Sequence, residues 1–130
     1  MTISNIDIII ESEITIFDIK GGARMAREKF SVLTEQMFYI LLCLRRECCG
    51  IDIMQEVTQL TDGRVRIGPG TLYNLLEQFA EVGMIRETKC EGRRRSYILT
   101  EAGQTALKTE YDRLRRQAED YKRLMGGAQG

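Results

Sequence analysis

A chain of 130 residues, 43% of them hydrophobic and with 19 basic side chains balanced by 19 acidic ones, is long enough to bury one core without disulfides and too apolar to be disordered throughout. It has no apolar run of bilayer-spanning length, and its first 19 residues are broken by Asp7, Glu11 and Glu13 and have no basic start, so neither a membrane span nor a signal peptide is expected. Histidine is absent, as are a nucleophile motif, a phosphate loop and a clustered carboxylate pair, so the composition predicts a soluble cytoplasmic protein that is not an enzyme and needs no cofactor or metal.

The charge is unevenly placed. Between positions 86 and 95, Arg86, Lys89, Arg93, Arg94 and Arg95 are opposed only by Glu87 and Glu91. A local basic patch steers a polyanion even on a neutral protein. The four cysteines, Cys43, Cys48, Cys49 and Cys90, form no C-x-x-C pair. They give little support to a zinc site and read as free thiols in a reducing compartment. Cys43 falls on an apolar helical face and is expected in the core. The adjacent Cys48 and Cys49 read as small packing residues, with redox or soft-metal sensing as the alternative.

In chain order, residues 1–24 stand apart as an extension. Ile6, Ile8, Ile10, Ile14 and Ile16 share one parity, a strand-like period. Lys20-Gly21-Gly22 is encodable as AAA-GGA-GGN, a purine-rich ribosome-binding tract just upstream of a start codon for Met25. The extension therefore reads either as a translated leader before a native start at Met25 or as a genuine extra strand or hairpin. From Thr34, a good N-cap followed by Glu35, the pattern becomes helical. Met37, Phe38, Ile40, Leu41 and Leu44 make a broad apolar stripe, and the helix is expected to stop before Gly50 with Arg45 and Arg46 in its last turn. A second helix fits Ile51 to Leu60, with Ile53, Met54, Val57 and Leu60 on one face. Thr61 to Gly63 then form a turn, and "RVRI" at 64–67 alternates like a short strand.

The chain's single proline, Pro69, lies between Gly68 and Gly70 at the mouth of a third helix running to about Val82. Proline loses nothing at a first helical turn, where its missing N–H would be unpaired, and the glycines let a foreign surface approach. Leu72, Leu75, Leu76 and Phe79 form the buried face, Thr71, Tyr73, Asn74, Glu77 and Gln78 lie outside it, and Gly83 ends the helix. Strands are expected over Ile85 to Lys89 and Ser96 to Leu99, joined by "CEGRRR" with Gly92 as the turn residue. Thr100 caps a long helix reaching about Met125. On it Leu107, Tyr111, Leu114, Ala118, Tyr121 and Met125 are spaced alternately by four and three, a heptad seam. Residues 126–130 read as a frayed tail.

Three helices followed at once by a β-hairpin predict a mainly α winged helix-turn-helix. It occupies 25–99, and the C-terminal helix at 100–125 serves dimerisation. The third helix has the dimensions of a major-groove reader. Its outward face offers hydroxyls and an amide, and its N-terminal amides favour phosphate. The candidate DNA-binding residues are Gly70, Thr71, Tyr73 and Asn74 on this helix and Arg93, Arg94 and Arg95 on the wing, whose planar forks suit phosphate or a narrow minor groove. Alternatives stay open for several of them. Tyr73 can instead pack against the second helix, Thr71 can merely support the helix start, and the arginines can form a solvated turn. Arg64 and Arg66 can pair with nearby acids or reach flanking phosphates.

"GTLYNLLEQFAEVGMI", "GRRRSYILTEAG" and the long heptad helix resemble the PadR-type transcriptional regulators over roughly Leu33 to Met125. The most specific part is "GTLY". Two departures stand out: the family often has Gly-Tyr where this chain has Gly50-Ile51, and proline where it has Asn74. The resemblance implies a homodimer that represses transcription at a palindromic operator and that a small aromatic or drug-like molecule, bound between subunits, can release. The seam of Leu107, Tyr111, Leu114, Ala118 and Tyr121 independently argues for the dimer, because such a stripe is unfavourable exposed on a monomer. The competing readings are a MarR-like or thiol-sensing winged-helix regulator and a winged-helix module that binds protein. The latter has no need of three consecutive arginines.

Overall fold

A computed structural model describes Phe30 and residues 32–126. The extension at 1–24 and the last four residues of the tail lie outside the described residues. The order is α1 (Glu35–Cys43), β1 (Cys48–Cys49), α2 (Gly50–Leu60), α3 (Pro69–Glu81), β2 (Ile85–Glu91), β3 (Arg94–Leu99) and α4 (Glu101–Tyr121), continued by a π-helical turn at Lys122–Gly126. This is the expected winged helix-turn-helix with a long C-terminal helix.

Helix α1 begins as its sequence dictates. The Thr34 hydroxyl accepts the Met37 N–H, and the Met37 sulfur in turn accepts the Thr34 N–H, completing a reciprocal cap. It ends earlier than its apolar stripe suggests. After Leu44 the chain turns to meet the sheet: the Leu44 carbonyl accepts the Leu99 N–H at 2.9 Å, and Cys48 and Cys49 pair antiparallel with Tyr97 and Ser96. Arg45 and Arg46 thus lie beyond the helix, and both reach Glu56 on α2.

The sheet is three-stranded in the order β1-β3-β2. The "RVRI" tract is not one of its strands. Val65 and Ile67 are buried in alternation, as the pattern implied, but no strand among the described residues pairs with their backbone. Thr61 holds the tract instead: its buried hydroxyl accepts the Val65 N–H at 3.0 Å and lies 2.8 Å from the Val57 carbonyl. Asp62 and Gly63, with φ of 54° and 77°, make the reversal between α2 and this tract.

One core joins these parts. Ile40, Leu41 and Leu44 meet Ile53 and Val57 of α2, Leu72, Leu76 and Phe79 of α3, and Met84 and Ile85 at the start of the wing. Phe30 packs edge-on against Phe79 with centroids 5.2 Å apart. Leu60, expected on the apolar face of α2, is exposed at its end. Helix α4 starts on this block. Thr100 caps it by accepting the Gly103 N–H, and Gly103 rests so close to the Met84 carbonyl that a Cβ there would fall 2.1 Å from that oxygen. Beyond Glu110 the helix leaves the core.

Candidate nucleic-acid interface

Helix α3 turns Leu72, Leu75, Leu76 and Phe79 inward, which leaves Thr71, Tyr73, Asn74 and Glu77 exposed and Gln78 half-buried. Gly68 is the N-cap residue and offers no side chain to the helix, while Pro69 occupies the first turn. A Cβ at Gly68 or Gly70 would meet nothing within 4 Å, and neither residue has a positive φ. The fold itself therefore places no demand for glycine at the helix mouth. Without side chains at Gly68 and Gly70, the amides beyond Pro69 are open to an approaching surface.

The hairpin rises beside α3. Its ladder is longer than expected and closes on the pair Glu91 and Arg94, leaving Gly92 and Arg93 as a two-residue loop with φ of +65° at Gly92. A bulge at Thr88 shifts the register between Glu87 and Lys89. The three arginines consequently divide. Arg93 is at the tip, Arg94 is the first residue of β3, and Arg95 follows it. Arg95 lies 3.9 Å from Glu87. A hydrogen bond to Tyr97 and the charge of Glu87 raise its pKa further above the ordinary arginine value. Arg93 and Arg94, like Arg86 and Lys89, have no carboxylate partner among the described residues.

Between α3 and the wing lies an open cleft of about 770 Å³ whose walls include Tyr73, Glu77 and Ala80 of α3, Ile51 of α2, and Arg93, Arg94, Arg95 and Tyr97. It brings Tyr73 and the three wing arginines together. Gly70, Thr71 and Asn74 are on α3 but outside the cleft wall. The structure also separates Arg64 from Arg66. Arg64 is engaged by Glu35 and by the Tyr39 hydroxyl, whereas the Arg66 side chain, just before α3, has no acidic partner among the described residues. Which arginine pairs is decided by residues on α1, so spacing alone could not have told them apart.

The cysteines divide too. Cys43, Cys48 and Cys49 are buried and Cys90 is exposed. Burial, with Glu56 and Cys48 nearby, pushes the Cys43 thiol up to about 12, and burial beside Asp52 raises Cys48. The Cys49 thiol donates to Asp52. Among the described residues, no group of three or more acidic, histidine or cysteine side chains could hold a metal ion, and no helix is long and apolar enough to cross a membrane.

On α4, Leu107 is half-buried, while Tyr111, Leu114, Ala118 and Tyr121 are exposed along one seam. A second groove of about 490 Å³ adjoins the seam and is walled by Phe38 and Leu42 of α1, Leu99, and Leu107 and Tyr111 of α4.

The family model described as "Transcriptional regulator PadR-like family" matches residues 40–109. Among similar solved structures, a transcriptional regulator from Clostridium thermocellum is 22% identical with a TM-score of 0.60, over 68% of this chain and 87% of that one. A PadR family transcriptional regulator from Eggerthella lenta is 19% identical with a TM-score of 0.54, over 87% and 94%. RosR of H. salinarum is 24% identical with a TM-score of 0.55, over 74% and 80%. These likenesses show the winged-helix fold. No curated protein matches the chain.

Proposed function

The chain belongs to the PadR-like family of transcriptional regulators, and we propose that it is a cytoplasmic homodimeric repressor that binds a palindromic operator through α3 and the wing. The observation that carries this reading is the juxtaposition across one cleft of α3's exposed face and the wing arginines. Gly70 and Thr71 bring backbone and hydroxyl to the DNA, Tyr73 and Asn74 face the groove, and Arg93 and Arg94 engage phosphate. Arg95 stays closer to the protein, beside Glu87. Arg66 extends the phosphate contacts beyond the N-terminal end of α3, a role supported by its lack of an acidic partner among the described residues.

Dimerisation proceeds through the seam of Leu107, Tyr111, Leu114, Ala118 and Tyr121, whose exposure on a single chain is unfavourable unless a second copy covers it. A two-fold dimer sets two copies of α3 about one DNA turn apart, which matches a palindrome. Release by a small aromatic or drug-like molecule is supported by the groove beside this seam, where Phe38, Leu42, Leu107 and Tyr111 offer an apolar wall. The test is a mobility-shift titration of duplexes from upstream of the protein's own coding region, with light scattering of the free protein. A discrete complex formed by a dimer supports the reading. A monomer that forms no discrete complex overturns it.

A further inference from the structure

Gly50, the first residue of α2, is a glycine that its own backbone does not require, because its φ is not positive. The space where a Cβ would stand is occupied by another residue. A Cβ at Gly50 would lie 2.6 Å from the Tyr73 hydroxyl oxygen, 2.7 Å from Cε1 and 2.9 Å from Cζ. All three are below the closest approach of real Cβ atoms. Gly50 is buried under this ring, while Tyr73 remains 49% exposed. One side of the phenol thus rests on the α2 backbone, and the rest of it borders the cleft shared with Ile51 and the wing arginines.

We propose that Gly50 is a positioning residue for DNA recognition: the absence of its side chain is the seat that holds the Tyr73 phenol against α2 at the edge of the cleft. The inference rests on the reading that α3 meets DNA. The atoms that a Cβ would displace belong to the far end of a half-exposed side chain and not to backbone or core. The ring can therefore swing away while the fold persists. What changes is the location of the phenol oxygen, the one hydrogen-bonding group on this side chain. A methyl group at position 50 acts on DNA binding through Tyr73 alone.

The experiment is a double-mutant cycle on the full chain with the upstream duplex, joined to a measurement that needs no DNA. Gly50→Ala is expected to weaken the specific complex about 3- to 10-fold, the loss of one hydrogen bond's worth of affinity, with the thermal midpoint essentially unchanged. In a Tyr73→Ala background the same substitution is expected to change affinity by less than about 2-fold, because no ring remains to be displaced. In the free protein, the Gly50 α-protons are expected to show an aromatic ring-current shift that Tyr73→Ala abolishes. Wild-type affinity in Gly50→Ala, or an undiminished loss in the Tyr73→Ala background, would overturn the positioning role. An absent ring-current shift would overturn the seat itself. A wild-type chain that binds no duplex overturns the DNA reading and the positioning role with it, while the ring-current comparison still decides the seat.

Discussion

The carboxylate of Glu110, midway along α4, accepts the backbone N–H of Leu33 at 3.2 Å, tying the segment before α1 to the helix that carries the seam. Glu110 is 3% exposed and also grips Arg113 one turn on. The winged domain and α4 are therefore joined by more than the packing of Ala106 and Leu107 on the core: Thr100 and Gly103 meet the Gly83–Met84 turn, and this buried carboxylate holds Leu33.

The Glu110 carboxyl is held below the ordinary glutamate range, first by the Arg113 hydrogen bond and then by the Leu33 N–H, against the opposing effect of burial. A depressed carboxyl contributes stability above the unfolded pKa and loses it as pH falls through the folded value. Glu110→Gln is accordingly expected to lose less stability than wild type when chemical denaturation is followed from about pH 6 down to about pH 3. At neutral pH, Glu110→Ala is expected to be less stable by about 1–3 kcal/mol, since it leaves the Leu33 N–H without its partner. Equal acid sensitivity in wild type and Glu110→Gln would show that the pair contributes nothing to pH dependence.

Gly103 supports the other joint. A Cβ there would fall 2.1 Å from the Met84 carbonyl oxygen and 2.7 Å from Leu99 Cδ2, and the first of these is backbone that cannot rotate away. Gly103→Ala is expected to destabilise the protein by about 1–3 kcal/mol, although alanine is the better helix former. Thermal or urea unfolding measures this. Stabilisation would mean that the helix and the Met84 turn are not in contact in solution.

Arg64 and Arg66 are separated by one residue and differ in their partners. Arg64 is held by Glu35 and Tyr39, while Arg66 has no acid to neutralise it among the described residues. Arg66→Ala is expected to flatten the slope of log affinity against log salt by about 1, and Arg64→Ala to leave it unchanged. The reverse pattern in titrations at several salt concentrations would move the phosphate contact to Arg64.

The thiols are expected to react unequally. Cys90 is exposed, whereas burial keeps Cys43 and Cys48 protonated at neutral pH and encloses Cys49. A chromogenic disulfide reagent at neutral pH should label Cys90 promptly in the native protein and the other three only after denaturation. Rapid native labelling of Cys48 or Cys49 would contradict this burial and favour a thiol-sensing regulator.

The periodic elements of this fold were legible in the sequence. The apolar spacing of Leu72, Leu75, Leu76 and Phe79 defines α3, and Gly83 and Gly92, with φ of +79° and +65°, mark its end and the hairpin loop. Features that depend on distant partners were not legible. A two-residue strand at Cys48–Cys49 has no period of its own and exists because β3 presents Tyr97 and Ser96 to it. The alternation of Val65 and Ile67 reported burial correctly but could not reveal that no strand among the described residues lies alongside. At the site, the outward face of α3 followed from its buried one. Packing of Tyr73 against the second helix was one of the two readings left open, and the ring does rest there while staying half-exposed; that Gly50 is its seat did not follow, because the reason for that glycine is a side chain on another helix.

The proposed repressor rests on α3 and the wing acting as one DNA-binding surface. Its most direct test is the salt dependence of binding to the upstream duplex for wild type and for Arg93→Ala/Arg94→Ala/Arg95→Ala. A discrete complex whose affinity falls steeply with salt is expected, with a shallower slope for the triple variant. A triple variant that binds with the wild-type affinity and slope would contradict it.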